Sequence, residues 1–189
     1  MILAVLLLGV GVLWGLAQGG KLNRLGEVEF RFPWLVFAGL GLQIGAELLG
    51  AFIYPGLGNS LAGLLILALS YSCLIAFLVF NLKHSGALVI GAGLALNLLV
   101  ILLNQSMPVS IRAARAAGIE SVRFLEAAVK HQVMSGGTRL SFLGDVIPVP
   151  IIGTVVSVGD ILIGVGMFIL VSRIVGYRPK RLSGRLPAS

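Results

Sequence analysis

Of 189 residues, 58% are hydrophobic and only 11% are charged, with a mean hydropathy of +1.05. A soluble domain of this size has too little interior to hide that much apolar surface, so the composition excludes a soluble globular protein and predicts an integral membrane protein. A formal charge of +7 does not point to nucleic acid, because no basic run is interleaved with stacking aromatics, and 7% aromatics beside 26 glycines argue for closely packed helices rather than a β-barrel with its aromatic girdles.

The expected architecture is an all-α membrane protein, a bundle of about five transmembrane helices with an amphipathic interfacial helix between the fourth and fifth. A hydrocarbon core about 30 Å thick needs roughly 20 helical residues. Apolar stretches near 1–17, 33–54, 61–81, 86–103 and 151–174 meet or approach that length. The first lacks the basic leader and the small-x-small cleavage site of a signal peptide, and reads as a helix. Gly11 with Gly15, and Gly41 with Gly45, have the spacing that lets two helix backbones approach closely. Pro33 suits a helix start, while Tyr54-Pro55-Gly56 and the segment from Asn81 to Gly86 are turn signals, making helices two, three and four antiparallel neighbours.

The long polar interval 104–150 follows. Ser106-Met107-Pro108 reads as a helix start and Gly118 as a break; Val122, Leu125, Val129 and Val133 then recur at helical spacing, with Arg123, Glu126, Lys130 and His131 elsewhere on the wheel. That pattern predicts a helix lying on the membrane surface or packed on its own bundle. Gly136-Gly137 ends it, and the apolar, Pro-interrupted run from Leu140 to Pro150 leads into the fifth span as a re-entrant segment. Residues 1–174 form one transmembrane domain on this reading, and 175–189 a basic tail. With five spans, nine of the 14 Lys and Arg residues fall on the side of the tail and five on the side of the long interval. The positive-inside rule then predicts a cytoplasmic-membrane protein with its C-terminus in the cytoplasm, and its N-terminus and residues 104–150 outside.

Ionisable groups inside a span need a reason. They are Glu47, with Gln43 one turn earlier on the same face, and Asp160; Asn97 and Asn104 lie two turns apart on one face of the fourth helix. Counted at about 1.5 Å per residue, Glu47 and Asn97 lie about 10 Å from the ends of their spans and Asp160 about 13 Å into the fifth, all from the same side. Gln43, Glu47, Asn97, Asn104 and Asp160 are therefore expected to converge as a ligand-binding pocket in the outer leaflet. Asp145 and Asp160 close two Gly-Asp pairs 15 residues apart, and a fold-back at Pro148 and Pro150 would bring them together. Two carboxyls sharing a site hold one proton between them, which is the chemistry of aspartyl hydrolases. The structural alternative is that Asp145 caps a helix or pairs with Arg139 and that Asp160 is a buried hydrogen-bonding group. His84 and His131 read as loop or surface residues, Arg112 and Arg115 as a solvated or headgroup-facing pair. Cys73 stands alone, and no Cys/His cluster has metal spacing, so neither a metal nor another cofactor is expected.

Leu143-Gly144-Asp145-Val146-Ile147-Pro148-Val149-Pro150, with Ser157-Val158-Gly159-Asp160 and the segment from Asn104 to Pro108, resembles a family of small multi-pass bacterial membrane proteins carried as a domain of unknown function. The resemblance implies a fold and no activity. More loosely, Ser157 to Leu170 is similar to the last helix of lipoprotein signal peptidases, with Ser157 and Gly159 at the Asn and Ala positions of the Asn-x-Ala-Asp motif; Phe142 and Val146 stand where their other motif has Asn and Arg. Three functions follow as expectations. The first is a polar pocket that binds a lipid-like or small polar ligand or carries protons. The others are an intramembrane aspartyl hydrolase using Asp145 and Asp160, and a non-catalytic subunit of a membrane complex. Membrane lipids are the expected partners, with other membrane subunits in the last case.

Overall fold

The computed structural model describes residues 2–54, 56–119 and 131–176. Five apolar helices make the bundle: α1 (Ile2–Ala17), α2 (Trp34–Phe52), α3 (Leu61–Phe80), α4 (Ala87–Asn104) and, at the C-terminal end, α6 (Val158–Gly176). The last four are long and apolar enough to cross a membrane, and α1 is a shorter apolar helix of 16 residues. Their outer surface is oily, with Phe37 75% and Phe52 81% exposed. Water would penalise such a belt heavily, whereas lipid tails solvate it.

The helices form a curved row in which α1 packs on α6, α6 on α4, α4 on α3, and α3 on α2. Small residues set the close approaches. A Cβ at Gly11 would lie 2.9 Å from the Phe168 carbonyl oxygen, and one at Gly15 would lie 2.7 Å from the Val175 Cβ, so the first glycine pair is the α1–α6 seam. Gly41 and Gly45 have open space instead; α2 meets α3 through Gly39, where a Cβ would lie 2.8 Å from Leu74. Leu67, Tyr71, Leu78, Ile90, Leu94, Val100 and Ile101 build the core between α3 and α4. Asn81, buried at the end of α3, donates to the Arg31 and Phe77 carbonyls and accepts from the Arg31 amide, which pins the α1–α2 connection onto the bundle.

The interval between α4 and α6 departs from the sequence reading. Met107–Val109 is a strand, β1, not a helix start; the helix that follows, α5 (Ile111–Ala116), is capped by Ser110, whose hydroxyl accepts from the Ala113 amide at 3.4 Å. Gly118 ends that turn with φ +83°. The helix expected over Val122 to Val133 lies outside the described residues, except for its last three positions. Those form β2 (His131–Val133), parallel to β1 with Met107 opposite His131. Where the apolar run leads into the last helix, β3 (Ile147–Val149) and β4 (Thr154–Val156) make an antiparallel hairpin, with Ile147 opposite Val156. Its tip carries Gly153 at φ +59° and Ile151 at 96% exposure. The final helix accordingly begins at Val158, seven residues after the apolar run begins.

Gln105 follows α4 in the left-handed region at φ +69°, where an L side chain is strained by about 1 kcal/mol. Its side chain is exposed. Gln105→Gly is expected to raise the unfolding midpoint in detergent by a few degrees, an increment that a thermal melt resolves.

Candidate functional site

The hairpin places Ser157 directly before α6, and local chemistry does the rest. Ser157 is the N-cap and Asp160 the third helical residue: the Asp160 amide donates to Ser157 Oγ (3.0 Å), and the Ser157 amide donates to Asp160 Oδ2 (3.2 Å). This is a capping box, two otherwise unpaired amides satisfied reciprocally, with a carboxylate at the positive end of the helix. Asp160 therefore stands in the first turn of α6 and not about 13 Å along a helix.

Asn97, 2% exposed, faces this box from α4, donating from Nδ2 to Asp160 Oδ1 (3.0 Å) and accepting from Ser157 Oγ at Oδ1 (2.9 Å). The contact exists because the backbones of α4 and α6 touch. A Cβ at Gly159 would fall on the Asn97 carboxamide, and one at Gly93 on the Gly159 carbonyl.

Asp145, 4% exposed, comes from the other direction. Its amide donates to the Pro108 carbonyl and its carbonyl accepts from the Ser110 amide, each at 2.9 Å, so its backbone is clamped along the free edge of β1. β2 lies on the opposite edge of β1, and His131 Nε2 stands 3.5 Å from Asp145 Oδ2, an ion pair when the imidazole is protonated. Asp145 thus meets His131 rather than Arg139, whose backbone amide and carbonyl bond the Asn104 side chain.

These groups border one cavity of about 410 Å³, together with Gln43 and Glu47 from α2. Of the expected residues, Gln43, Glu47, Asn97, Asp145 and Asp160 line it. Asn104 does not; it closes the end of α4 onto the loop at Arg139 and accepts from Gln132 through its carbonyl. Gln43 donates to Ser70 Oγ on α3 (2.9 Å), not to Glu47, and Ser70 passes the bond on to the Gly39 carbonyl. His131 is the lining residue that a reading as surface histidine passes over. Its β2 position opposite Met107 comes from a pairing 24 residues apart in sequence, for which nothing local gives a signal.

A second cavity of about 400 Å³ adjoins the first and shares Gln43 and Asp160 with it. Apart from Tyr71 its other walls are apolar, with Leu3 from α1, Leu40 from α2, Leu74 from α3, Leu94 from α4 and Ile163 from α6. It lies between the two ends of the curved helix row.

The fold and this site define a helical membrane protein whose acidic cavity caps an apolar one. The chain belongs to DUF5317, a family of unknown function whose pattern matches residues 27–172. The matched segment runs from the α1–α2 connection through all of the cavity's residues on α2, α4, β2, β4 and α6. Neither a curated protein nor a solved structure matches the chain.

Proposed function

We infer that the protein binds an amphiphilic ligand within its bundle, apolar chain between α1 and α2 and headgroup among the carboxylates. One observation carries this reading: the polar and the apolar cavity are neighbours that share Gln43 and Asp160 as lining residues. The headgroup chemistry follows from what the lining side chains have to offer. Glu47, Asp145 and Asp160 put three carboxylates in the wall of the polar cavity, with His131 beside Asp145 and with the Asn97 and Gln43 amides engaged with protein partners. Three carboxylates against one imidazole suit a headgroup that carries an ammonium or hydroxyl group rather than a bare phosphate. With the basic tail in the cytoplasm, as the positive-inside rule predicts, the headgroup sits toward the outer leaflet.

The test is retention of a labelled phosphatidylethanolamine by the purified protein, read by native mass spectrometry. Leu40→Trp, which fills the apolar cavity from α2, is expected to lower retention about tenfold, the equivalent of about 1.4 kcal/mol. Undiminished retention in that variant removes the reading.

Intramembrane aspartyl hydrolysis is the second reading, favoured by Asp145 and Asp160 bordering the same cavity. It requires the two carboxyls to share a proton or a water. Each instead has partners of its own, His131 for Asp145 and the Ser157–Asn97 pair for Asp160, so the binding reading stands first.

A further inference from the structure

About 20 Å along α6 from Asp160, at the level of Arg173, a separate cavity of about 550 Å³ is lined by Arg24, Glu27, Lys83, His84 and Arg173, with Leu170 at its apolar edge. Three separate segments deliver its cations: the short helical turn Leu22–Glu27, the α3–α4 loop and the last turn of α6. Arg24 is half-buried, and its Nη1 donates to the Val175 carbonyl at 2.8 Å. That carbonyl, among those a helix leaves unpaired at its C-terminus, also accepts from the Lys21 amide at 3.1 Å, and the Arg24 bond fixes the guanidinium in the wall. Lys83 and Arg173 are exposed and carry no hydrogen bond or ion pair among the described residues. His84 turns its ring against Phe30 at 4.8 Å, and its Nε2 is buried with no hydrogen-bond partner among the described residues.

Cations at the ends of membrane helices ordinarily reach outward to the headgroup layer. Here three of them border one concavity with a single carboxylate, Glu27, in opposition. We propose that this cavity binds a phosphate group, carried either by a lipid headgroup or by a soluble phosphate compound. A phosphate brings the missing negative charge and several acceptor oxygens, which a guanidinium meets in bidentate geometry and an ammonium as a point charge. The site shares no residue with the acidic cavity at the far end of α6 and only Leu170 with the apolar one, and its cations take no part in the amphiphile reading.

The full-length protein in neutral detergent is titrated calorimetrically with inorganic phosphate in one arm and with short-chain phosphatidylglycerol in the other. Binding of the lipid alone assigns a headgroup site; binding of inorganic phosphate assigns a soluble phosphate compound. Lys83→Gln and Arg173→Gln are each expected to weaken the bound probe about fivefold, and the double variant about twenty-five-fold. The melting temperature should hold, because both side chains are exposed. Lys21→Gln removes a cation at the same end of the bundle from outside the cavity wall, and should leave affinity within about twofold. Arg24 is left intact, since its loss would also remove a hydrogen bond to the end of α6. No binding in either arm, or a loss in Lys21→Gln equal to that in the cavity variants, overturns the proposal.

Discussion

Gly159→Leu is expected to separate α4 from α6 and to leave little protein that survives extraction into detergent. A Cβ at this position would lie 2.7 Å from the Gly93 carbonyl oxygen and 2.6 Å from the Asn97 Cγ. Gly93 is equally tight from the other side, 2.9 Å from the Ile163 amide nitrogen. Seven residues away on each helix the pattern repeats. Gly86 abuts the Gly166 carbonyl, and a Cβ at Gly166 would lie 2.7 Å from the Ile90 amide nitrogen. The two helices therefore run antiparallel with their backbones in contact at two places two turns apart, a packing that only glycine allows. Two effects oppose each other on substitution. Replacing glycine gains up to about 1 kcal/mol of helix propensity. Inserting even one methyl against backbone forces a shift costing about 1–3 kcal/mol, and leucine has no direction in which to relax. The steric term wins. Gly41→Leu is the matched control, because open space surrounds that glycine. Equal melting temperatures for the two variants would mean that α4 and α6 do not meet as described.

Hydropathy marks α1 to α4 because each apolar run is bounded by a turn former: Gly19-Gly20, Pro33, Gly56, Asn81 and Gly86. It overshoots at the last helix for a physical reason. Ile151, Ile152, Thr154, Val155 and Val156 extend the apolar run, but all five are β-branched and follow Pro150, and apolar content cannot separate strand from helix. The Ser157-x-x-Asp160 capping box marks the true start, and it is legible in the sequence once Asp160 is treated as a first-turn acid rather than as a buried charge. In the same way Ser110 outweighs the Ser106-Met107-Pro108 signal, because β1 takes Met107 to Val109 into pairing with residues far along the chain. The seam glycines seven apart are invisible to a search for glycines four apart; that search finds Gly11 and Gly15, which pack on α6, and Gly41 and Gly45, which pack on nothing among the described residues. Helix direction and rise bring Gln43, Glu47 and Asn97 to one end of the bundle, whereas Asp160 joins them through the capping box that starts α6 and not at the depth that rise implies, and Asn104 stays outside the cavity. His131 beside Asp145 is not legible in the sequence, because it depends on β1 standing between them.

Ser157, Asn97 and Asp160 should behave as one energetic unit. Ser157→Ala removes the hydroxyl that caps α6 and that donates to Asn97, from a site with no exposure, and should lower stability by about 1–2 kcal/mol. Asp160→Asn keeps the size but not the bonding. Of the two acceptor oxygens that meet the Ser157 amide and Asn97 Nδ2, one becomes an NH₂ facing a donor, and the charge at the helix N-terminus is lost. Alone it should cost a similar amount. Together the two changes should cost less than their sum by about 1 kcal/mol or more, since the first already dismantles the box that the second disturbs. A double-mutant cycle on detergent-solubilised protein measures that term, with Asp145→Asn as the comparison because its backbone is held by β1 whatever its side chain does. Strict additivity between Ser157→Ala and Asp160→Asn would mean that the box carries no coupling and that Asp160 has another occupation. A loss of labelled-lipid retention in Asp160→Asn greater than in Ser157→Ala, at equal loss of stability, would separate its service to the helix from its service to the ligand.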